Sequence, residues 1–308
     1  MNLVETLQKR GIAVFNNIFD DETVRRLKDI LEKDCSYSNE GDGKRYGGQG
    51  GTVRCKHSEL NRLIDLNLVE TIINEKMKSI IQEIIPDGQV WRFYYIQTPS
   101  NQTRPHFIPK GGGIGDFHID RNNPVYKDDR IDFIDFSIYL NDVNKGDGNY
   151  AFYPSSPQKK PLGFEEVINV YGKAGTLIVS RVDWYHSATP NLNKNNRHLI
   201  RVALCKNFFD IDDYYEERKF LANYYKNKDN FLSFIFGGDR RWYKKVTQPK
   251  IDKKNLEFTS PKVNGRINFS VTGKRTNINK EWNPNEIIEN SFLQITKNFI
   301  KRILKRHV

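Results

Sequence analysis

Cysteine is scarce in this chain of 308 residues, and the three present (Cys35, Cys55 and Cys205) are odd in number and far apart. That excludes a disulfide framework and a zinc-binding pattern, and leaves thiols in a reducing compartment as the simplest reading. Long apolar runs are also lacking, and none approaches the roughly 20 residues that a membrane-spanning helix needs. The opening Met1-Asn2-Leu3-Val4-Glu5 has neither a basic nor an apolar signal region, so the expectation is a cytoplasmic protein. The glycine-rich stretch 41–52 (GDGKRYGGQGGT) has the spacing of neither a Walker loop nor a dinucleotide fingerprint. It reads instead as a surface or substrate-covering loop. What the chain does have is 37% hydrophobic and 12% aromatic residues, enough to build one substantial core and to argue against long disorder.

The net charge of +11 is unevenly placed. Residues 240–308 hold 17 Lys and Arg against 5 Asp and Glu, whereas the rest of the chain holds 32 against 33. A near-neutral body therefore precedes a cationic extension. We expect a body over residues 1–215 and an extension over 216–308.

The first forty residues read as a helix, a short β-like run (Gly11–Phe15) and a second helix opened by Asp20-Asp21-Glu22-Thr23, with Val24, Leu27, Ile30 and Leu31 at helical spacing. Another helical stretch falls near 68–85. From Gln89 to about Phe209 the pattern changes to short β-like runs divided by turn residues: Val90–Gln97, Gly115–Asp120, Phe133–Leu140, Tyr150–Tyr153, Gly175–Val179 and Leu199–Lys206. Runs of this length and spacing suggest a sandwich or barrel rather than alternating βαβ units. After Asp210 the chain turns helical again.

The chemistry centres on Gly115-Asp116-Phe117-His118-Ile119-Asp120. On a strand, residues two apart share a face, so His118 and Asp120 aim an imidazole and a carboxylate into one space. A third ligand would complete the two-histidine, one-carboxylate triad of non-haem iron(II). His186, in Asp183-Trp184-Tyr185-His186-Ser187, lies 66 residues after Asp120. A lone His-x-Asp is weak, because a strand histidine is more often structural. The chain has only six histidines, however, and His57, His106, His198 and His307 sit in loop or polar settings or beside Arg197.

The surrounding pattern adds specificity. Gly175-Thr176-Leu177-Ile178 leads to His186, then Ala188, Pro190 and Asn191, with Arg197 eleven positions after the histidine. Upstream, Leu140-Asn141-Asp142 precedes Gly148 and Tyr153-Pro154-Ser155-Ser156. These pieces, with the opening Leu7–Leu31, resemble the phytanoyl-CoA dioxygenase-like family of iron(II)/2-oxoglutarate-dependent oxygenases over roughly residues 5–209. The resemblance implies a double-stranded β-helix (a jelly-roll, cupin-like core) over about 89–209, buttressed by helices from 1–85; it is silent on the helical extension that the residue pattern places after it. It also implies Fe(II), 2-oxoglutarate and dioxygen, with His118, Asp120 and His186 as metal ligands and Arg197 forming a two-pronged salt bridge to the C5 carboxylate of 2-oxoglutarate. Arg201, four residues on and on the same strand face, is the competitor for that bridge and is expected to stay away from the triad. Weaker candidates are Gln97 and Lys110 for the co-substrate and Arg121 for the substrate, each of which could equally be solvated surface.

Two departures from the family pattern stand out. Ser155-Ser156-Pro157 replaces its Gly-Ser-His, and Phe117 replaces its tryptophan. The family's halogenating relatives lack the carboxylate that Asp120 supplies, so hydroxylation or desaturation is favoured. The resemblance thus implies a hydroxylase of a small or carrier-linked metabolite that releases succinate and carbon dioxide, and the basic extension suits an anionic one. An oxygenase of a protein or nucleic acid, and a non-catalytic binding protein on the same fold, are the alternatives.

Residues 283–307 read as a capped amphipathic helix. Asn283, Pro284 and Glu286 form its start, Ile288, Phe292, Ile295, Phe299 and Ile303 its apolar stripe, and Lys297, Lys301, Arg302, Lys305 and Arg306 crowd its second half. Packing on the body with a solvated basic face is one reading, and a peripheral membrane contact or a dock for an anionic carrier is the other. No recognised nucleic-acid motif accompanies the charge, which argues against nucleic acid.

Overall fold

The computed structural model describes residues 2–16, 18–37, 53–55, 64–98, 100, 117, 119–120, 130–154, 166–189, 191–206, 215–237 and 256–266. Each early helix starts where a short polar side chain can satisfy an orphan amide. Asn2 accepts from the Glu5 amide at 2.8 Å to open α1 (Leu3–Arg10), and Asp20 accepts from the Thr23 amide at 2.7 Å to open α2 (Asp21–Tyr37). The helical stretch near 68–85 is two helices, α3 (Leu68–Ile72) and α4 (Glu75–Ile84). Between them, Asn74 caps the Met77 amide at 3.0 Å. α1 ends at Gly11, whose φ of 72° admits glycine. A Cβ there would lie 2.6 Å from both Phe152 and Trp184, so the backbone runs directly against these rings.

Two antiparallel sheets form the core. The larger has seven strands in the order β10-β1-β7-β4-β9-β3-β2, and the smaller has four in the order β11-β6-β5-β8. The strands are β1 (Ile12–Phe15), β2 (Val53–Cys55), β3 (Gln89–Thr98), β4 (Phe133–Tyr139), β5 (Tyr150–Phe152), β6 (Glu166–Val170), β7 (Leu177–Ser180), β8 (His186–Ala188), β9 (Arg197–Cys205), β10 (Phe258–Thr259) and β11 (Gly265–Arg266). This is the jelly-roll core expected from the sequence. β9 lies between β3 and β4, and all nine of its residues are buried. Strand alternation divides them. Ile200, Val202 and Leu204 join a core with Leu7, Leu27, Ile80 and Ile84 of the helices, while Leu199 packs with Tyr139, Tyr150 and Phe152 in the barrel interior.

The structure departs from the sequence expectations in several places. Phe117, Ile119 and Asp120 form no strand, although Gly115–Asp120 was expected to be one; the other residues of that run lie outside the described residues. β6 and β8 were not anticipated, since three residues of His-Ser-Ala carry no periodic signal. The run Gly11–Phe15 is an integral strand of the larger sheet, paired with β7. Two helices, α5 (Tyr215–Tyr225) and α6 (Asn230–Ile235), fall on the extension's side of the boundary expected at 215. They nevertheless bury Leu221, Tyr225, Leu232 and Ile235 in the same core as α1 and α4. Farther on, β10 adds to the edge of β1 and β11 to the edge of β6, so residues 256–266 touch both sheets. The amphipathic helix expected over 283–307 lies outside the described residues. Among the described residues, no helix is long and apolar enough to cross a membrane.

Candidate metal centre

The turn between β7 and β8, residues 181–185, carries the local architecture of the site. Arg181 and Asp183, both 1% exposed, form a two-pronged pair in which Nε donates to Oδ1 at 3.0 Å and Nη2 to Oδ2 at 2.7 Å. The Arg181 amide donates to the Gly11 carbonyl at 2.8 Å, and its guanidinium lies 5.5 Å from the centre of the Trp184 ring. A buried pair of this geometry fixes a turn that would otherwise be free to move.

Two carbonyls of this turn then position two of the candidate ligands. The Trp184 carbonyl lies 2.9 Å from His186 Nδ1. A carbonyl only accepts, so Nδ1 carries the proton and Nε2 keeps its lone pair, the tautomer a metal needs. The Val182 carbonyl accepts the Asp120 amide at 3.0 Å, tethering a ligand that no strand supports. His186 Nε2 then faces Asp120 Oδ2 at 3.7 Å. A nitrogen lone pair and a carboxylate oxygen turned toward each other fit a shared cation, so the donor set suits the implied metal. His118 lies outside the described residues, as do Lys110 and Arg121.

Tyr150 stacks on the His186 ring, with centroids 5.7 Å apart and planes at 22°. Its hydroxyl lies 2.9 Å from Ser180 Oγ, and burial pushes its pKa well above the ordinary tyrosine value. It therefore stays a neutral phenol and contributes an apolar wall. Tyr139, whose hydroxyl donates to the Val170 carbonyl at 2.9 Å, is pushed up to about 12 by the same burial.

Arg197 opens β9 and is 4% exposed. Its guanidinium donates to the Gly148 carbonyl and, at 2.8 Å, to Thr98 Oγ1. Asn191 ties this corner together, donating to the Thr98 carbonyl at 3.2 Å and the Asn195 carbonyl at 2.8 Å. A planar guanidinium beside a hydroxyl that can also donate suits a carboxylate, as 2-oxoglutarate would require. Gln97 does not join this corner. It pairs with His198 of β9, one step out of phase with Thr98, on the face that carries Tyr95 toward the helices.

Arg201 corrects one expectation. Four residues from Arg197, it lies on the same strand face and also enters the barrel, where its Nη2 donates to Asp120 Oδ2. Its Nε donates at 2.8 Å to Oδ1 of the fully buried Asp135, whose Oδ2 accepts from Ser137 Oγ at 2.8 Å. Even spacing on a strand put both arginines inside; they differ in depth, not in face. Sequence reasoning missed Asp135, Thr98, Tyr150 and the Arg181–Asp183 pair. The signal available for Asp135 was a charged residue centred in an otherwise apolar strand, Phe-Ile-Asp-Phe-Ser-Ile-Tyr.

The profile of the family described as phytanoyl-CoA dioxygenase (PhyH) matches residues 7–199. Among solved structures, HygX from Streptomyces hygroscopicus, with nickel and 2-oxoglutarate bound, is similar at 15% identity and a TM-score of 0.51, over 68% of this chain and 87% of that one. AviO1 from Streptomyces viridochromogenes Tue57 is similar at 18% identity and a TM-score of 0.49, over 67% and 95%. SnoN, the non-heme alpha-ketoglutarate-dependent epimerase from nogalamycin biosynthesis, is similar at 13% identity and a TM-score of 0.48, over 66% and 82%. No curated protein matches the chain in sequence.

Proposed function

The chain belongs to the phytanoyl-CoA dioxygenase family, and from that premise we propose that it hydroxylates a small or carrier-linked anionic metabolite. It is an enzyme of the iron(II)/2-oxoglutarate-dependent class, with dioxygen as the oxidant. When bound, iron would activate dioxygen, the oxidant, with 2-oxoglutarate giving up two electrons in its decarboxylation to succinate and the substrate C–H bond giving up the other two. In this reading His118, Asp120 and His186 hold the metal. Arg197 and Thr98 hold the distal carboxylate of 2-oxoglutarate, and Tyr150 walls the His186 ring from water.

The observation that carries the reading is the pairing of His186 Nε2 with Asp120 Oδ2 at 3.7 Å, with each group fixed through a carbonyl of one rigid turn. HygX was crystallised with nickel and 2-oxoglutarate bound, which supports the same pair of occupants here. The test is an anaerobic titration of the full chain with Fe(II) and 2-oxoglutarate. We expect a weak visible charge-transfer band, lost in His118→Ala and in His186→Ala; a full chain that gives no band would remove the reading.

The basic excess of residues 240–308 favours an anionic substrate or surface. Sedimentation with anionic liposomes, comparing the full chain with one ending after Lys280, tests the membrane version. Equal co-sedimentation would dispose of it.

A further inference from the structure

Along the barrel face of β9, Arg197 marks the end where 2-oxoglutarate is anchored, and Arg201 is level with the metal ligand Asp120. Ala203 lies one step beyond, at the opposite end of the strand face from Arg197. Its partner on β3 is Arg92, and there the ladder slips: a bulge falls between Val90 and Arg92. Val90 packs toward the helices, but Trp91 packs with Val182 and Ala203 inside the barrel. The extra residue thus turns both Trp91 and Arg92 to the site, and bulges of this kind re-aim side chains beside active sites.

Arg92 differs from the other guanidiniums here. Its side chain is 32% exposed, whereas that of Arg201 is 9% exposed. It lies over the Trp91 ring, 4.1 Å from the centroid, and its Nη1 is 3.6 Å from Asp120 Oδ2. That oxygen already accepts from Arg201, and it is the one facing His186. Among the described residues at the site there are three guanidiniums (Arg92, Arg197, Arg201) and two carboxylates (Asp120, Asp135), the Arg181–Asp183 pair cancelling itself. Of the three guanidiniums, Arg92 is the one that faces solvent.

We propose that Arg92, presented by the bulge at Trp91, recognises an oxyanion of the primary substrate, a carboxylate or a phosphate, close to the carbon that is oxidised. The closeness follows from the 3.6 Å to a metal-ligating carboxylate, which leaves room for only a few bonds between anion and reacting carbon. A guanidinium stacked on a tryptophan is pre-oriented and offers a planar, two-pronged donor edge. The inference rests on the oxygenase reading above and names the chemistry of its substrate.

The test uses the full chain, anaerobic and loaded with Fe(II) and saturating 2-oxoglutarate. It is titrated with propionate, methyl phosphate and the neutral propionamide, following the charge-transfer band and the heat of binding. At least one anion binds and shifts the band without abolishing it, propionamide does not, and the tighter anion identifies the group. Arg92→Gln weakens that anion at least about tenfold, the loss expected when about 1.4 kcal/mol of binding disappears. Arg92→Lys retains part of the affinity, and 2-oxoglutarate affinity stays within about twofold in both variants, on the same tenfold scale. Equal anion binding by Arg92→Gln, equal binding of propionamide, or no anion binding by the unmodified protein each overturns the proposal. Failure of the band to form at all sinks the oxygenase reading instead, while calorimetry on the same samples still reports on Arg92.

Discussion

His186 Nε2 and Asp120 Oδ2 face each other across 3.7 Å although they come from parts of the chain 66 residues apart, and a single turn, residues 181–185, sets both. In the proposed centre, metal affinity is therefore a property of that turn as much as of the two side chains.

Removing a ligand should abolish binding outright. Asp120→Ala and His186→Ala should each weaken Ni(II) binding by more than the roughly 10- to 100-fold that changes around a metal's ligands cost. Calorimetry with Ni(II), together with the metal content after dialysis, checks this. Retention of stoichiometric metal by either variant would place the centre elsewhere.

In the proposed co-substrate site, Arg197 would hold a carboxylate by geometry as well as by sign. Arg197→Lys keeps the charge but cannot bridge Gly148 and Thr98 while also holding a carboxylate with two parallel bonds. The expected result is an affinity for 2-oxoglutarate about tenfold weaker or worse, read from the charge-transfer titration, with Ni(II) affinity unchanged in the absence of 2-oxoglutarate. An unaltered 2-oxoglutarate affinity would reassign the anchor.

Asp183 tests the turn itself. Asp183→Ala removes the carboxylate that pairs with the Arg181 guanidinium at a site where both are 1% exposed, and breaking such a pair costs about 3–5 kcal/mol. Urea denaturation should show that loss, and the double variant Arg181→Met/Asp183→Leu should recover most of it. A double variant as unstable as the single would mean that the turn is held by its other contacts.

His198 supplies a pH dependence. Its Nδ1 lies 2.5 Å from the Tyr95 hydroxyl, and burial, foremost, holds its pKa below the ordinary value; Lys28 and Arg197 push the same way and Glu32 opposes them. Above about pH 6.5 the ring is neutral in both folded and unfolded chains, and its contribution to stability is fully present. Below that value the unfolded chain takes up the proton first, so stability falls as pH drops toward the folded pKa. Stability curves of the unmodified protein and of His198→Asn should converge on acidification. Parallel curves from pH 7.5 to 5 would rule His198 out.

That His186 and Asp120 lie together was legible because metal chemistry admits few residue types and the chain has only six histidines, whereas His118 lies outside the described residues. The double-stranded β-helix was legible for a similar reason, since its longer strands, β3, β4 and β9, carry enough apolar or alternating residues to register. The shortest elements were not: β8 has three residues, and β10 and β11 have two each, too few for any periodicity. Charged residues inside the barrel were misjudged for a different reason. Asp135 and Arg201 look solvated when read singly, and only their pairing makes an interior position possible. The bulge at Trp91 left no mark that strand propensity could reveal, because Trp and Arg both fit a pleated strand without it.

The pairing of β1 with β7 and β10 has a consequence for how the protein is made. Residues 12–15 are made well before their partners, which are residues 177–180 on one side and 258–259 on the other. The Arg10 guanidinium likewise donates to the Pro261 carbonyl, 251 residues away. This strand must therefore wait, with its edges unpaired, until the residues after 259 have left the ribosome. Such long-range closure makes folding slow and leaves open edges that invite aggregation. Expression at low temperature and with chaperones in excess should accordingly raise the soluble yield of the full chain, and a chain cut before residue 256 should gain least.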